Sequence, residues 1–269
     1  MEIRQCILTG NDCYKAGKTI VPVGIVVHST GANNKRLCRY VQPDDGLLGK
    51  NTNKNDWNRP GITKCVHAFI GVDQFGEVRV YQTLPWNRRP WGCGTGSKGT
   101  YNGSYIQFEI CEDALQDESY FQKAFEAAAE LCAFLMALYP SIKIENVVSH
   151  NESHKRGYAS GHIDCDHWLA RFGKDMNWFR SLVMEKKGLP AKTNAPIPST
   201  SKFPYKVRVI VSDLNVRDQP GVDNKVNTVI HINEVYTIIE EEAVGKAIWG
   251  RLKSGAGWIN VGKAYVKGV

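Results

Sequence analysis

The stretch SHNESHKRGYASGHIDCDHW, residues 149–168, holds four of the chain's seven histidines together with two aspartates and a cysteine. Imidazole, carboxylate and thiolate are the side chains that hold zinc, and imidazole moves protons near neutral pH. Another histidine, His28, closes the apolar run VGIVVH (23–28), and His150 closes ENVVSH (145–150). Runs of this kind read as buried strands. Two histidines at the ends of two strands can face each other at one edge of a sheet, where a rigid backbone holds ligands well. A hydrolytic zinc takes three protein ligands and leaves one position for water. The third ligand then comes from the loop after His150. His154, His162, Asp164, Cys165, Asp166 and His167 all qualify, and spacing does not choose among them.

Attack of water on an amide also needs a base for the water's proton and a donor for the developing oxyanion. Glu109 lies in the strand-like SYIQFEIC (104–111), between Phe108 and Ile110. A carboxylate there is costly unless it faces a cleft. Alternation puts Gln107, Glu109 and Cys111 on one face. Glu112 and Asp113 lie past the strand and read as loop charges. The 84–104 loop, LPWNRRPWGCGTGSKGTYNGS, is long enough to bind substrate. Trp86 and Trp91 offer flat apolar faces for stacking on a substrate, and Arg88 or Arg89 suits pairing with a carboxylate. GTGSKG within it matches a dinucleotide fingerprint by letter only, since no strand leads in and no helix signal follows.

These residues need a scaffold. CVHAFIG (65–71) and EVRVYQT (77–83) flank the turn DQFG and read as a hairpin. His67 on the first of them reads as a hydrogen-bonded core residue. Phe121, Phe125, Ala128, Cys132, Leu135 and Tyr139 mark one apolar face of a helix from about Ser119 to Tyr139. Ser119 and Gln122 suit a capping box, and Pro140 follows the end. A second helix is expected from Asp175 to about Glu185. His167 and Trp168 pack the wall of the site or begin a helix, and His154 lies on a solvated or substrate-facing loop. The fold class is α/β, a mixed central sheet with flanking helices, over residues 1–185. The Pro-, Ser-, Thr- and Lys-rich stretch 186–204 reads as a linker. Residues 205–269, with short β runs between close turns, suit a small all-β barrel.

The chain has 269 residues and a net charge of +7, of which +1 belongs to residues 1–185 and +4 to the linker. Charge so distributed is no nucleic-acid footprint. No run approaches the roughly 20 apolar residues of a membrane helix, so no membrane insertion is expected. The start, MEIRQCILTGNDCYKAGK, has no export-signal core, so synthesis in the cytoplasm without a signal peptide is the expectation. The eight cysteines form no C-x-x-C pair and are expected free in that compartment.

His28 in VVHST, Glu109 in FEICE, His150 in VVSHNE and the closing SGHIDCDHW together resemble the zinc-dependent N-acetylmuramoyl-L-alanine amidases of type 2, relatives of the peptidoglycan recognition proteins. The resemblance covers about residues 1–185. It implies hydrolysis of the amide between N-acetylmuramic acid and L-alanine in bacterial peptidoglycan. It also implies zinc on His28, His150 and Asp164, with Cys165 as the alternative third ligand. His162 takes the place of the family's lysine as oxyanion donor, a departure because imidazole is only partly charged near neutral pH. Some members carry a tyrosine where Val66 stands, so the base role falls on Glu109. LNVRDQPG and WGRLKSGAGWINVGKAYV resemble bacterial SH3 (SH3b) domains of wall-lytic enzymes, which implies attachment to the wall and an SH3-like barrel. Trp249, Tyr236 and Trp258 are expected in that barrel's core. Together these features imply a phage or prophage endolysin released through a holin and acting at the cell wall. The rival readings are a muropeptide-binding module without catalysis, which a lost ligand would produce, and a cysteine peptidase of the stem peptide. No cysteine here opens a helix in a recognisable nucleophile motif.

Overall fold

Alternating and continuous apolar runs become the middle of a six-stranded sheet in the computed structural model, which describes residues 2–188, 204–245 and 247–269. The chain divides into two compact units, residues 1–195 and 196–269. Most of the expected linker, residues 189–203, lies outside the described residues. Its first three residues continue the last helix of the N-terminal unit.

The sheet of the N-terminal unit contains β1 (Ile3–Gln5), β2 (Gly24–Ser29), β3 (Ala68–Val72), β4 (Val78–Gln82), β5 (Tyr105–Ile110) and β6 (Val147–Ser149), in the order β1-β4-β3-β5-β2-β6. Only β3 and β4 run antiparallel, as the expected hairpin. Asp73 shapes their turn by accepting from the amides of Phe75 and Glu77. The other pairs are parallel, so the sheet is mixed. Around it lie α1 (Asp12–Lys15), α2 (Glu118–Leu138), α3 (His150–Lys155), α4 (Asp166–Arg171) and α5 (Met176–Gly188).

Strand alternation divides the sheet into two faces. Ile25 and Val27 of β2, Ala68 and Ile70 of β3, and Ile106, Phe108 and Ile110 of β5 pack with Phe121, Phe125, Ala128, Cys132 and Leu135 of α2 in one core. Each large apolar side chain buried there is worth roughly 1.5–3 kcal/mol. That layer leaves Val26, His28, Gln107 and Glu109 on the opposite face.

The boundaries of α2 differ slightly from expectation. Its N-cap is Asp117, which accepts from the Tyr120 amide at 3.0 Å, rather than Ser119. A carboxylate there also suits the helix dipole. Tyr139 has left helical geometry and forms the C-cap. The expectation of free cysteines fails at one pair. Cys13 and Cys65 form a disulfide with their Cα atoms 6.3 Å apart, tying α1 to the segment before β3. Spacing in sequence could not reveal it, because 52 residues separate the two. The other six cysteines are free.

The described residues of the second unit, from 204 onward, form an all-β arrangement. Its strands are β7 (Tyr205–Val209), β8 (Asp213–Arg217), β9 (Val226–His231), β10 (Val235–Val244), β11 (Ala247–Leu252), β12 (Trp258–Asn260) and β13 (Val266–Gly268). They lie in the order β13-β7-β10-β11-β12-β8-β9, all antiparallel. Val207, Val209, Leu214, Val216, Ile238, Leu252 and Ile259 fill its core. Trp249 and Trp258 are buried too, while Tyr236 is half-buried and donates to Glu234.

Candidate active site

His28 is the fifth residue of β2, and its ring rises from the face opposite α2. His150 follows β6 directly but belongs to the first turn of α3, so the strand ends one residue earlier than expected. Ser149 caps that helix in a capping box with Glu152. Arg180 of α5 grips both carboxylate oxygens of Glu152, at 2.9 and 3.1 Å, and donates to the Val147 carbonyl. A bidentate pair of this kind is geometrically selective, so the start of α3 is held against β6. Asn151 then fixes the returning loop. Its amide donates to the Asp164 carbonyl, and its side chain donates to Asp166 at 2.6 Å.

The result is a tight group of His28, His150 and Asp164, with one ligand atom from each lying within 4.8 Å of the others. The two Nδ1 atoms are 3.1 Å apart. Asp164 Oδ2 lies 3.1 Å from His28 Nδ1, and Oδ1 lies 3.4 Å from His150 Nδ1. Atoms about 2.1 Å from a tetrahedral ion stand roughly 3.3 Å apart, which is the spacing found here. Burial raises the Asp164 pKa, but its hydrogen bonds and charge interactions with His150 and His28 outweigh this and hold the carboxyl well below the usual carboxylate range.

The outer ring nitrogens are committed elsewhere. His28 Nε2 lies 3.0 Å from Gln107 Oε1, and His150 Nε2 lies 3.1 Å from the Ser160 carbonyl oxygen. Both partners accept, so both Nε2 atoms carry hydrogen, and each Nδ1 directs its remaining valence into the cluster. A metal-binding histidine is commonly held by its second nitrogen in this way. The residues therefore fit a zinc ion: two imidazole Nδ1 atoms, each ring held from behind, face the two oxygens of one carboxylate.

Glu109 stands beside this group, opposite His28 in the parallel register of β2 and β5. Its Oε2 is buried without a hydrogen-bond partner. Burial, with Asp164 and Glu112 nearby, pushes its pKa well above the ordinary value, against the opposing pull of Lys64. An orphaned carboxylate oxygen of this kind is expensive in a purely structural role. His162 lies at the rim. Its side chain is 62 % exposed, its ring stacks on His150 at 4.8 Å, and its Nδ1 is 4.0 Å from Asp164 Oδ1.

Other expected residues fall elsewhere. Cys165 is fully buried in the α2-facing core, outside the ligand group, because the chain turns by one residue into α4 there. Trp86 corrects an expectation: it is buried between His67 and Phe134, with ring centroids at 6.1 and 6.5 Å, and has no face to offer a sugar. Arg88 anchors its loop instead, donating to the Gly17 carbonyl and lying over Tyr14. Trp91 remains 40 % exposed, with the Arg89 guanidinium 5.5 Å from its ring. His67 is a core residue as expected. Its Nε2 donates to the Arg88 carbonyl at 2.9 Å, its Nδ1 accepts from the Gln107 amide, and burial lowers its pKa to about 4.

Glu112 is not a solvated loop charge. It is buried and pairs at 3.1 Å with His167 in the first turn of α4, which raises the His167 pKa. Sequence reading also missed Asn102 and Ser160 as supports of the histidines. Gln107 was detectable as a face-mate of Glu109, whereas Asn102 and Ser160 sit in loops without period.

A mixed sheet carrying such a triad at one edge of its strands defines a hydrolase of the amidase type. The chain belongs to the N-acetylmuramoyl-L-alanine amidase family, whose model matches residues 18–166, more than half of its length. It is a peptidoglycan amidase, hydrolysing the bond between N-acetylmuramic acid and L-alanine. Among curated relatives, the N-acetylmuramoyl-L-alanine amidase CwlH of Bacillus subtilis (strain 168) is 27% identical over 203 residues, spanning 73% of this chain and 67% of CwlH. Among solved structures, the catalytic domain of XlyA is 27% identical, with 68% of this chain and 99% of that one covered and a TM-score of 0.47. PlyL is 25% identical, with 68% and 97% covered and a TM-score of 0.49.

Proposed function

We propose that the amidase works with zinc held by His28 Nδ1, His150 Nδ1 and Asp164, with Glu109 as the base and His162 as the oxyanion donor. The observation that supports this reading is the pair of imidazole Nδ1 atoms 3.1 Å apart, each facing one oxygen of the Asp164 carboxylate at 3.1 and 3.4 Å, with both outer imidazole nitrogens already engaged. Zinc bound there would supply Lewis acidity and lower the pKa of the water it holds to about 7.

The chain's own residues do the rest. Glu109 takes the proton of the attacking water through its unpartnered Oε2, which its raised pKa suits, and returns that proton to the leaving L-alanine nitrogen. His162, exposed beside the cluster, donates a hydrogen bond to the developing oxyanion. Trp91 packs against the glycan or stem peptide, and Arg89 beside it pairs with a peptide carboxylate.

Residues 205–269 serve as an SH3b module that holds the enzyme on the wall. The LNVRDQPG and GWINVGKAYV motifs and the all-β character of this unit support that role. An endolysin made in the cytoplasm and released through a holin is the biological setting that the combination suggests.

Mass spectrometry of digested walls tests the chemistry. New L-alanine amino termini on intact glycan strands, lost after chelation and restored by zinc, are expected. Cleavage that resists chelation but stops with a thiol reagent would replace this reading with a cysteine peptidase. Wall binding without any new termini would replace it with a recognition module.

A further inference from the structure

The supports behind the two ligand histidines come from distant parts of the chain, yet both lead to the same three residues. Asn102 is buried, and its Oδ1 accepts from the amides of Gly92 and Cys93 at 3.1 and 3.3 Å. That oxygen also accepts from Gln107 Nε2 at 2.9 Å. The two backbone amides fix which end of Asn102 faces Gln107, and so fix which end of Gln107 faces His28. Gln107 must present its oxygen to His28 Nε2. On the other side, the Ser160 carbonyl takes the hydrogen of His150 Nε2. Ser160 is itself pinned to Cys93, whose carbonyl accepts from the Ser160 amide at 2.9 Å and from its hydroxyl at 3.2 Å.

The flanking glycines show how closely this turn abuts both supports. A Cβ on Gly92 would lie 2.5 Å from Gln107 Oε1, the very atom that holds His28. A Cβ on Gly94 would lie 2.6 Å from the Ser160 hydroxyl. Gly94 also has φ +63°, which disfavours a side chain.

We infer that Gly92-Cys93-Gly94, with Asn102, is a single bracket that positions both ligand histidines, His28 through Gln107 and His150 through Ser160. These are positioning residues, which act on the histidines through Gln107 and Ser160. The bracket belongs to the same 84–104 loop that carries Trp91, so the substrate loop and the ligand set share one hydrogen-bonded base. The inference rests on the zinc reading above for its affinity readout, but not for its structural one.

The test uses the full chain with single substitutions Gly92→Ala, Gly94→Ala, Gln107→Leu and, as control, Gly103→Ala, whose added methyl would meet nothing within 4 Å. Zinc affinity is measured by chelator competition, and the Nε2–H resonances of His28 and His150 by 15N NMR on metal-free protein. Gly92→Ala and Gln107→Leu are expected to weaken zinc binding by about 10–100-fold and to perturb His28 while sparing His150. Gly94→Ala should perturb His150 while sparing His28, and Gly103→Ala should change neither. An unaltered His28 in Gly92→Ala or in Gln107→Leu, or an unaltered His150 in Gly94→Ala, would overturn the bracket. If Gly92→Ala does not fold, Gln107→Leu decides the His28 arm without altering the turn. Should wild-type chain take up no zinc, the metal reading fails, and the bracket is still decided by the resonances of the metal-free protein.

Discussion

His28 and Glu109 occupy the same register position on adjacent parallel strands, β2 and β5, and both rise from the face opposite α2. This pairing sets a carboxylate next to a histidine of the cluster without involving any loop. Replacing Glu109 with Gln keeps the shape and removes the base. Turnover is expected to fall by about 10²–10⁴-fold while zinc affinity stays within a few-fold. Steady-state hydrolysis of cell walls and a zinc titration on the same preparation check this. Loss of metal in step with activity would mean that Glu109 serves the ligand set rather than the proton.

Asp164 and Cys165 are neighbours with opposite orientations, one in the cluster and one in the core. Asp164→Ala removes one of the three proposed ligands, and structural zinc is bound with roughly 10–16 kcal/mol in all, so a loss of at least about 100-fold in affinity is expected. Cys165→Ala should leave the zinc content unchanged and cost about 1–2 kcal/mol of stability through the cavity it opens. Metal analysis and denaturant unfolding of the two variants separate these effects. Full zinc in Asp164→Ala would transfer the ligand role to the thiol.

His67 links pH to the stability of the N-terminal unit. Burial holds its folded-state pKa down at about 4, while an unfolded chain takes up the proton near 6.5. The unfolded state therefore binds more protons between these values, and stability falls as the pH drops from about 6.5 to 4. The full loss is on the order of 3 kcal/mol. His67→Gln should be less stable at pH 7, because it cannot satisfy both the Arg88 carbonyl and the Gln107 amide in the same geometry. Its stability should decline less steeply in acid. Denaturant unfolding at pH 7 and pH 5 measures both slopes, and parallel slopes would remove His67 from the account.

The two tryptophans of the 84–104 loop should respond differently. Trp86→Ala empties a packed site between His67 and Phe134, and a cost of about 3–5 kcal/mol in unfolding free energy is expected. Trp91→Ala should leave stability within about 0.5 kcal/mol, in keeping with its exposure, and raise KM for peptidoglycan with kcat little changed. Thermal unfolding and initial-rate kinetics distinguish them. A Trp91 variant with unaltered KM would remove it from the substrate surface.

The chemistry of this protein was legible in its sequence because strand and helix periods are local. SYIQFEIC declares its faces by alternation, so Glu109 and Gln107 could be assigned to one side of a sheet before any coordinates, and the apolar run VGIVVH placed His28 at the end of a buried strand. The α2 stripe declared the layer that covers the opposite side. What resisted reading is what depends on loops, where no period reports which way a side chain turns. Trp86 and Trp91 are five residues apart in one loop, yet one is core and the other surface. Cys13 and Cys65 meet across 52 residues, and Glu112 finds His167 at a similar remove.

The sequence by itself determined the strands, the long helix, the residue types of the His-His-Asp cluster and, through its motifs, the family. Only the tertiary structure decided which carboxylate enters the cluster and which nitrogen of each imidazole faces it. Hydrogen-bond partners make that choice, and Gln107 Oε1 and the Ser160 carbonyl are brought to the histidines by chain folding, not by neighbourhood in sequence.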